Sequence, residues 1–183
     1  IARTADMIRE RVHTSYIARL LDDGHIARIK RGVYEWLGEE AKDDLEIIFR
    51  VLPDSILCME SALHHYGYID RTPNLWHVAM SKDINKKKVR LVYPPIKVHF
   101  VAPHILDLGA IRVETNGVAI RIYDRDRTVC DAIRHSSRVD AEIVNQAIRA
   151  YASDPRKNVN RLIYYATALR IQRKVENLVG VWI

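Results

Sequence analysis

A chain of 183 residues, 48% hydrophobic and 28% charged, has room for one or two domains and enough apolar side chains for a core, which excludes global disorder. Its formal net charge of +6 favours polyanionic partners, through phosphate neutralisation and counterion release. No apolar run approaches the ~18 residues a membrane helix needs, and the opening Ile1-Ala2-Arg3-Thr4 has neither a signal-peptide pattern nor an initiator Met, so a cytoplasmic protein with no membrane partner, trimmed or fragmentary at its N-terminus, is expected.

Residues 4–9 read as a short helix, with Thr4 as N-cap and Ala5, Met7 and Ile8 on the apolar side. Glu10-Arg11-Val12 interrupts the pattern. A second helix is predicted over 14–23, capped by His13 or Thr14, with Ile17, Ala18, Leu20 and Leu21 as its inward stripe and Gly24 as its stop. Ile26, Ile29, Val33 and Trp36 then alternate imperfectly with Arg28, Lys30 and Arg31, and Gly32 follows the basic residues, which predicts a small hairpin. Helix, turn, helix, hairpin is the order of a winged helix-turn-helix whose first helix is missing from this sequence. In that arrangement Thr14, Ser15 and Tyr16, followed by Arg19, face base edges, while Arg28, Lys30 and Arg31 reach phosphates or the minor groove. The same pattern also suits a solvated surface or a protein-interaction module.

A composition shift at Gly38-Glu39-Glu40 sets the expected boundary between a DNA-binding domain, 1–38, and an α+β domain, 39–183. The second domain opens with a helix over 39–52, its apolar side formed by Ala41, Leu45, Ile48, Phe49 and Leu52. A short buried strand at 55–59 and a helix at 61–66 closed by Gly67 follow. Strands are predicted at 75–80, 90–93, 96–102 and 118–123. The Asn116-Gly117 turn pairs Ile111-Arg112-Val113 antiparallel with Val118-Ala119-Ile120. Helices at 127–134, 140–151, 159–169 and 171–178 complete an antiparallel sheet followed by C-terminal helices.

The stretch from Val12 to Tyr34, with a recognition helix, Gly24, a basic hairpin and then Arg31-Gly32-Val33-Tyr34, resembles the N-terminal domain of AbiEi-family antitoxins of abortive-infection, type IV toxin–antitoxin systems. Ser61-Ala62-Leu63 with Gly67, and Arg127-Thr128-Val129-Cys130-Asp131, resemble that family's later segments. His13 departs from the serine that often begins such helices. The resemblance implies a phage-defence repressor of its own operon, binding inverted repeats in operator DNA, that also neutralises a nucleotidyltransferase-like toxin. It implies neither enzyme activity nor a cofactor.

Other side chains carry weaker readings. The densest basic run, with Lys82, Lys86, Lys87, Lys88 and Arg90, is a loop that touches phosphate or an acidic partner, or is simply solvated. Arg156, Lys157, Arg161, Arg170, Arg173 and Lys174 form a second basic face or an ordinary solvated surface. The eight histidines have no ligand spacing, so no metal site is expected. Asp124, Asp126, Asp131 and Glu142 invite a nuclease reading, but no Glu-x-Lys accompanies them. Asp126 is better read as a helix cap, and Asp131 as the partner of Arg127 or Arg134. Cys58 and Cys130 are expected buried and reduced. A protein- or RNA-binding module without specific DNA recognition is the alternative.

Overall fold

Two units make up the chain in the computed structural model, which describes residues 1–38 and 42–180 and has an α+β fold. The first comprises Ile1–Pro53 and Asn85–Ile96, the second Asp54–Ile84 and Lys97–Ile183. The expected boundary at 38/39 differs from this division, and Glu39 and Glu40 lie outside the described residues, as does Ala41 of the expected helix.

In the first unit a two-residue strand, β1 (Ala2–Arg3), precedes helices α1 (Thr4–Arg9) and α2 (Thr14–Asp22) and the strands β2 (Ile26–Lys30) and β3 (Val33–Trp36). Thr4 starts α1 rather than capping it, and neither helix has a side-chain N-cap bond. Both end in the same way. After α1, Arg11 takes φ +63°, its N–H donates to Ile8 O at 3.0 Å and the Val12 N–H donates to Met7 O at 2.9 Å. After α2, Gly24 takes φ +72°, with Gly24 N–H on Leu21 O and His25 N–H on Leu20 O. These bond pairs satisfy the last carbonyls of each helix in a Schellman arrangement.

The hairpin is apolar on both faces, because alternate strand residues point opposite ways. Ile26 and Tyr34 pack with Ile17 of α2 and with Met7, Val12, Leu20 and Leu21. Ile29 and Val33 pack with Ile47 of α3 (Asp44–Val51) and with Ile1, Val51 and Leu91. That second face explains why α3 belongs with the hairpin. β1 pairs antiparallel with β3, giving the order β1-β3-β2. Residues 90–93, expected as a strand, form none. Instead Val92 N–H donates to Ile29 O at 2.7 Å, and a 3-10 turn covers Lys86–Val89.

The second unit contains β4 (Ile56–Leu57), α4 (Met59–His65), β5 (Trp76–Ser81), β6 (Ile96–Val101) from its second residue on, α5 (Pro103–Leu106), β7 (Ala110–Thr115) and β8 (Val118–Tyr123). Its sheet runs β6-β5-β4-β8-β7. Val118–Thr115 closes the β7–β8 hairpin at Asn116-Gly117 as expected, but β4 pairs with β8 in parallel, so the sheet is mixed rather than antiparallel. Helices α6 (Arg125–Arg134), α7 (Ala141–Ser153), α8 (Val159–Ala168) and α9 (Gln172–Val179) follow. The cap of α6 is Asp124, which accepts from Arg127 N–H, and not Asp126, which sits inside the helix. Their apolar faces, including Val129, Ile133, Ile148, Leu162 and Val175, form the main core.

Arg127 is 1% exposed within this core. Its Nε donates to Asp131 at 3.1 Å, and its Nη1 donates to Ile105 O and Leu108 O at 3.0 and 2.7 Å. The guanidinium also lies 4.3 Å from the Tyr123 ring centroid. Gly109, at φ +76°, passes so close that a Cβ there would lie 2.6 Å from the Arg127 Cβ. Arg127→Met is expected to destabilise the protein by about 3–5 kcal/mol in urea denaturation, since Asp131 is left buried without its cation. Adding Asp131→Leu is expected to restore part of that loss.

Candidate functional site

Helix α2 presents Thr14, Ser15, Tyr16 and Arg19 to solvent while Ile17, 3% exposed, anchors the opposite side. Arg19 forms an exposed ion pair with Asp23 at 3.5 Å, a contact that holds little energy in water. On the hairpin, Arg28 is exposed beside the Tyr34 ring, 5.8 Å from its centroid, and Arg31 is exposed at the turn. Lys30 departs from expectation. Its Nζ lies 3.5 Å from Val51 O and 3.4 Å from Lys88 O, and burial, followed by the charge of Arg3, lowers its pKa. It fastens the 3-10 turn to β2 instead of pointing outward.

The basic run divides. Lys86, Lys87, Lys88 and Arg90 are exposed residues of the first unit, held near β2 by the Lys30 and Val92 contacts, while Lys82 belongs to the second unit. The first unit therefore gathers hairpin cations and 3-10-turn cations that lie more than fifty residues apart in sequence. Periodicity gives no sign of this, because the joining signal is a backbone bond.

In the second unit the residues of the expected second basic face are exposed or half-buried, and three of the six are tied to neighbouring acceptors. Arg161 lies 3.0 Å from Asp126 and 3.5 Å from Asp124, Arg156 and Arg125 both meet Asp154, and Lys157 donates to Ala152 O. Tyrosine hydroxyls complete these carboxylates: Tyr165 donates to Asp124, Tyr151 to Asp126 and Tyr68 to Asp154, each at 2.8 Å. Burial opposes ionisation of Asp154, yet the Arg156 amide, the Tyr68 hydroxyl and the two guanidinium groups outweigh it and hold its carboxyl well below the usual range. The aspartates of the nuclease reading are thus engaged by arginine and tyrosine donors. Among the described residues no group of three or more His, Cys, Asp or Glu converges as metal ligands.

A cleft of about 360 Å³ opens elsewhere in this unit, between the β5–β6 face and the end of α6. Alternate residues place His77 and Ala79 of β5 beside Lys97, His99 and Val101 of β6 on its wall. Glu60, Arg134, His135 and Arg138 line it from the helical side. The His77 and His99 rings lie 5.1 Å apart. His77 Nδ1 and His99 Nε2 are buried with no hydrogen-bond partner among the described residues. Met59, at φ +49°, forms part of the wall in a backbone conformation unusual for a bulky side chain. Cys58, also in the wall, and Cys130 are buried free thiols. Sequence reasoning noted the histidines singly and overlooked Lys97 and Arg138, since their meeting depends on strand register.

No protein-family model matches the chain, and no curated protein matches it. Among the described residues, no helix is long and apolar enough to cross a membrane.

Burial, then neighbouring positive charge, pushes both cleft histidines down to about pKa 4. In the unfolded chain they titrate near about 6.5. Below that value the unfolded state binds more protons, so their contribution to stability is intact above pH 6.5 and is lost as pH falls toward 4. Denaturation midpoints of wild type and His99→Gln, compared between pH 7 and 4.5, should therefore converge as the solution is acidified. A constant gap would contradict the assigned titration.

Proposed function

We propose that the chain is a DNA-binding antitoxin-type repressor, with the first unit acting as a winged helix-turn-helix. The observation that carries the reading is the arrangement of α1, α2 and the β2–β3 hairpin, closed by β1 pairing with β3, with the N-terminal half of α2 and Arg31 both exposed. In this reading Thr14, Ser15, Tyr16 and Arg19 enter the major groove. Arg28, Arg31 and the exposed cations of residues 86–90 meet the phosphate backbone, which supplies most of the affinity and its salt dependence. The resemblance of the 12–34 and 127–131 segments to AbiEi antitoxins supports the rest of the proposal: repression of its own operon at inverted repeats, and neutralisation of a nucleotidyltransferase-like toxin by the second unit, without enzymatic activity. The engagement of Asp124, Asp126 and Asp154 by cations and hydroxyls accords with a non-nuclease role.

Exposed apolar side chains in the first unit, Trp36 at 60% and Val92 at 70%, favour a second reading as a protein-binding module. A mobility shift on the promoter DNA upstream of the protein's own gene, at two salt concentrations, separates the two. A sequence-selective shift weakened by salt supports the repressor. No selective shift, with co-purification of the neighbouring gene product, supports the module.

Substitutions sharpen the test. Arg19→Ala should cost about 1–3 kcal/mol of operator affinity and relax specificity at the base it contacts, whereas Arg31→Ala should weaken binding across sequences and reduce the salt slope by about 1. Lys30→Met should leave the salt slope unchanged, because its ammonium is directed to backbone carbonyls. Unchanged binding in both arginine variants would remove the DNA-reading assignment.

A further inference from the structure

We propose that the second-unit cleft binds a small molecule carrying a phosphate group on an apolar or aromatic body. Among the described residues, Lys97, Arg134 and Arg138 form no ion pair, although other arginines of this unit are paired with aspartates. Arg127 is neutralised by Asp131 within the wall. With Glu60 as the remaining acid, the lining has an excess of two positive charges. That excess matches a phosphate monoester, which carries between about 1.5 and 2 negative charges near neutral pH, better than a single carboxylate.

The imidazoles add direction. His77 is 5% exposed and lines the cleft, and its Nδ1 has no partner; the same holds for Nε2 of His99 on the adjoining strand. Buried polar atoms are ordinarily satisfied, so two unmet nitrogens on residues of one concave wall mark a place where an ordered water, or a ring turned toward a bound ligand, completes the bonding. A neutral imidazole offers one donor and one acceptor, suited to a phosphate oxygen and to a hydroxyl respectively. The rest of the wall includes the apolar Ala79, Val101, Ile105 and Val139. Concave, mostly apolar walls with a few convergent polar groups are the general form of small-molecule sites, and the volume lies within their usual range of about 300–1,000 Å³.

This inference is independent of the DNA-binding reading, and its test uses no DNA-binding readout. The full chain is titrated calorimetrically with inorganic phosphate, phenyl phosphate and benzoate, while His77 and His99 ring signals are followed by NMR. Saturable binding of phenyl phosphate, tighter than that of inorganic phosphate and of benzoate, is expected, with both rings shifted. In the Arg134→Gln/Arg138→Gln variant affinity should fall roughly tenfold or more, as expected for lost charge-assisted hydrogen bonds. Arg173→Gln, an exposed change on α9, should leave it intact. Both arginines of the double variant lie outside the fully buried core, and an unchanged melting temperature in that variant assigns the loss to binding. Absence of saturable binding by either phosphate probe overturns the proposal. Binding that survives the double variant, or that leaves both histidine signals unmoved, overturns the location. Binding of a single-stranded oligonucleotide at this cleft, without phenyl phosphate binding, replaces the small molecule with a polyanion.

Discussion

A guanidinium removed from water sets the terms for the second unit. Arg127 is buried at the start of α6, directly after β8, where sheet and helices join. Desolvating such a group is unfavourable by several kcal/mol, so every neighbour must answer it. Asp131 does so one helical turn on, the carbonyls of Ile105 and Leu108 accept from the far side, and the Tyr123 ring covers one face. The loop that supplies those carbonyls must come close, and at Gly109 there is no room for a side chain. Asp124 N–H donates to Gly109 O at 2.7 Å, so the loop that receives Arg127 is also bonded to the residue that caps its helix. Around this centre Asp124, Asp126 and Asp154 tie α6 to α7 and α8 through tyrosine and arginine donors. The polar contacts specify which helix ends meet, and the apolar core contributes the burial.

The first unit obeys a different constraint. Its hairpin is too short to be stable alone and is apolar on both sides. One face is covered by α1 and α2, the other by α3 with Leu91. Covering the inner side of α2 with the hairpin leaves its outer side, with Thr14, Ser15, Tyr16 and Arg19, in solvent. The exposed face is thus a consequence of packing, and its chemistry can vary without disturbing Ile17.

How far the sequence reveals this depends on the range of the interaction. Apolar periodicity locates α1, α2, β8 and the C-terminal helices within a residue or two, because each pattern is local. Gly24 and Gly67 mark helix ends, since glycine enters the left-handed region without penalty. Arg11 and Arg170 take the same conformation after α1 and α8, with equivalent backbone bonds, and nothing in their side chains announces it. The sequence favours Asp126 as the cap because it directly precedes the first periodic residues, but the helix starts two residues earlier, so Asp124 accepts from the Arg127 N–H while Asp126 meets Arg161 and the Asn158 N–H. The assignment of residues 85–96 to the first unit, and the meeting of His77 with His99, depend on long-range register that no local pattern encodes.

Net charge alone therefore points poorly to a partner, because cations of one sequence have opposite environments. Arg127, Arg125 and Arg161 meet carboxylates in and around the core, and Lys30 is directed to two carbonyls, so each already has a counterpart within its unit. Arg31, Arg134 and Arg138 form no ion pair among the described residues. The difference lies in where aspartate occurs: Asp124, Asp126, Asp131 and Asp154 cluster around α6 and draw in the nearby arginines, while among the described residues the cations of the hairpin turn and of the far end of α6 form no ion pair. Positive charge left in those two places has solvent or a ligand as its counterpart. At the hairpin it is exposed at a turn; at the end of α6 it borders a concave wall that holds two unmet imidazole nitrogens. The surroundings of a cation, more than the count of cations, therefore decide what it can meet.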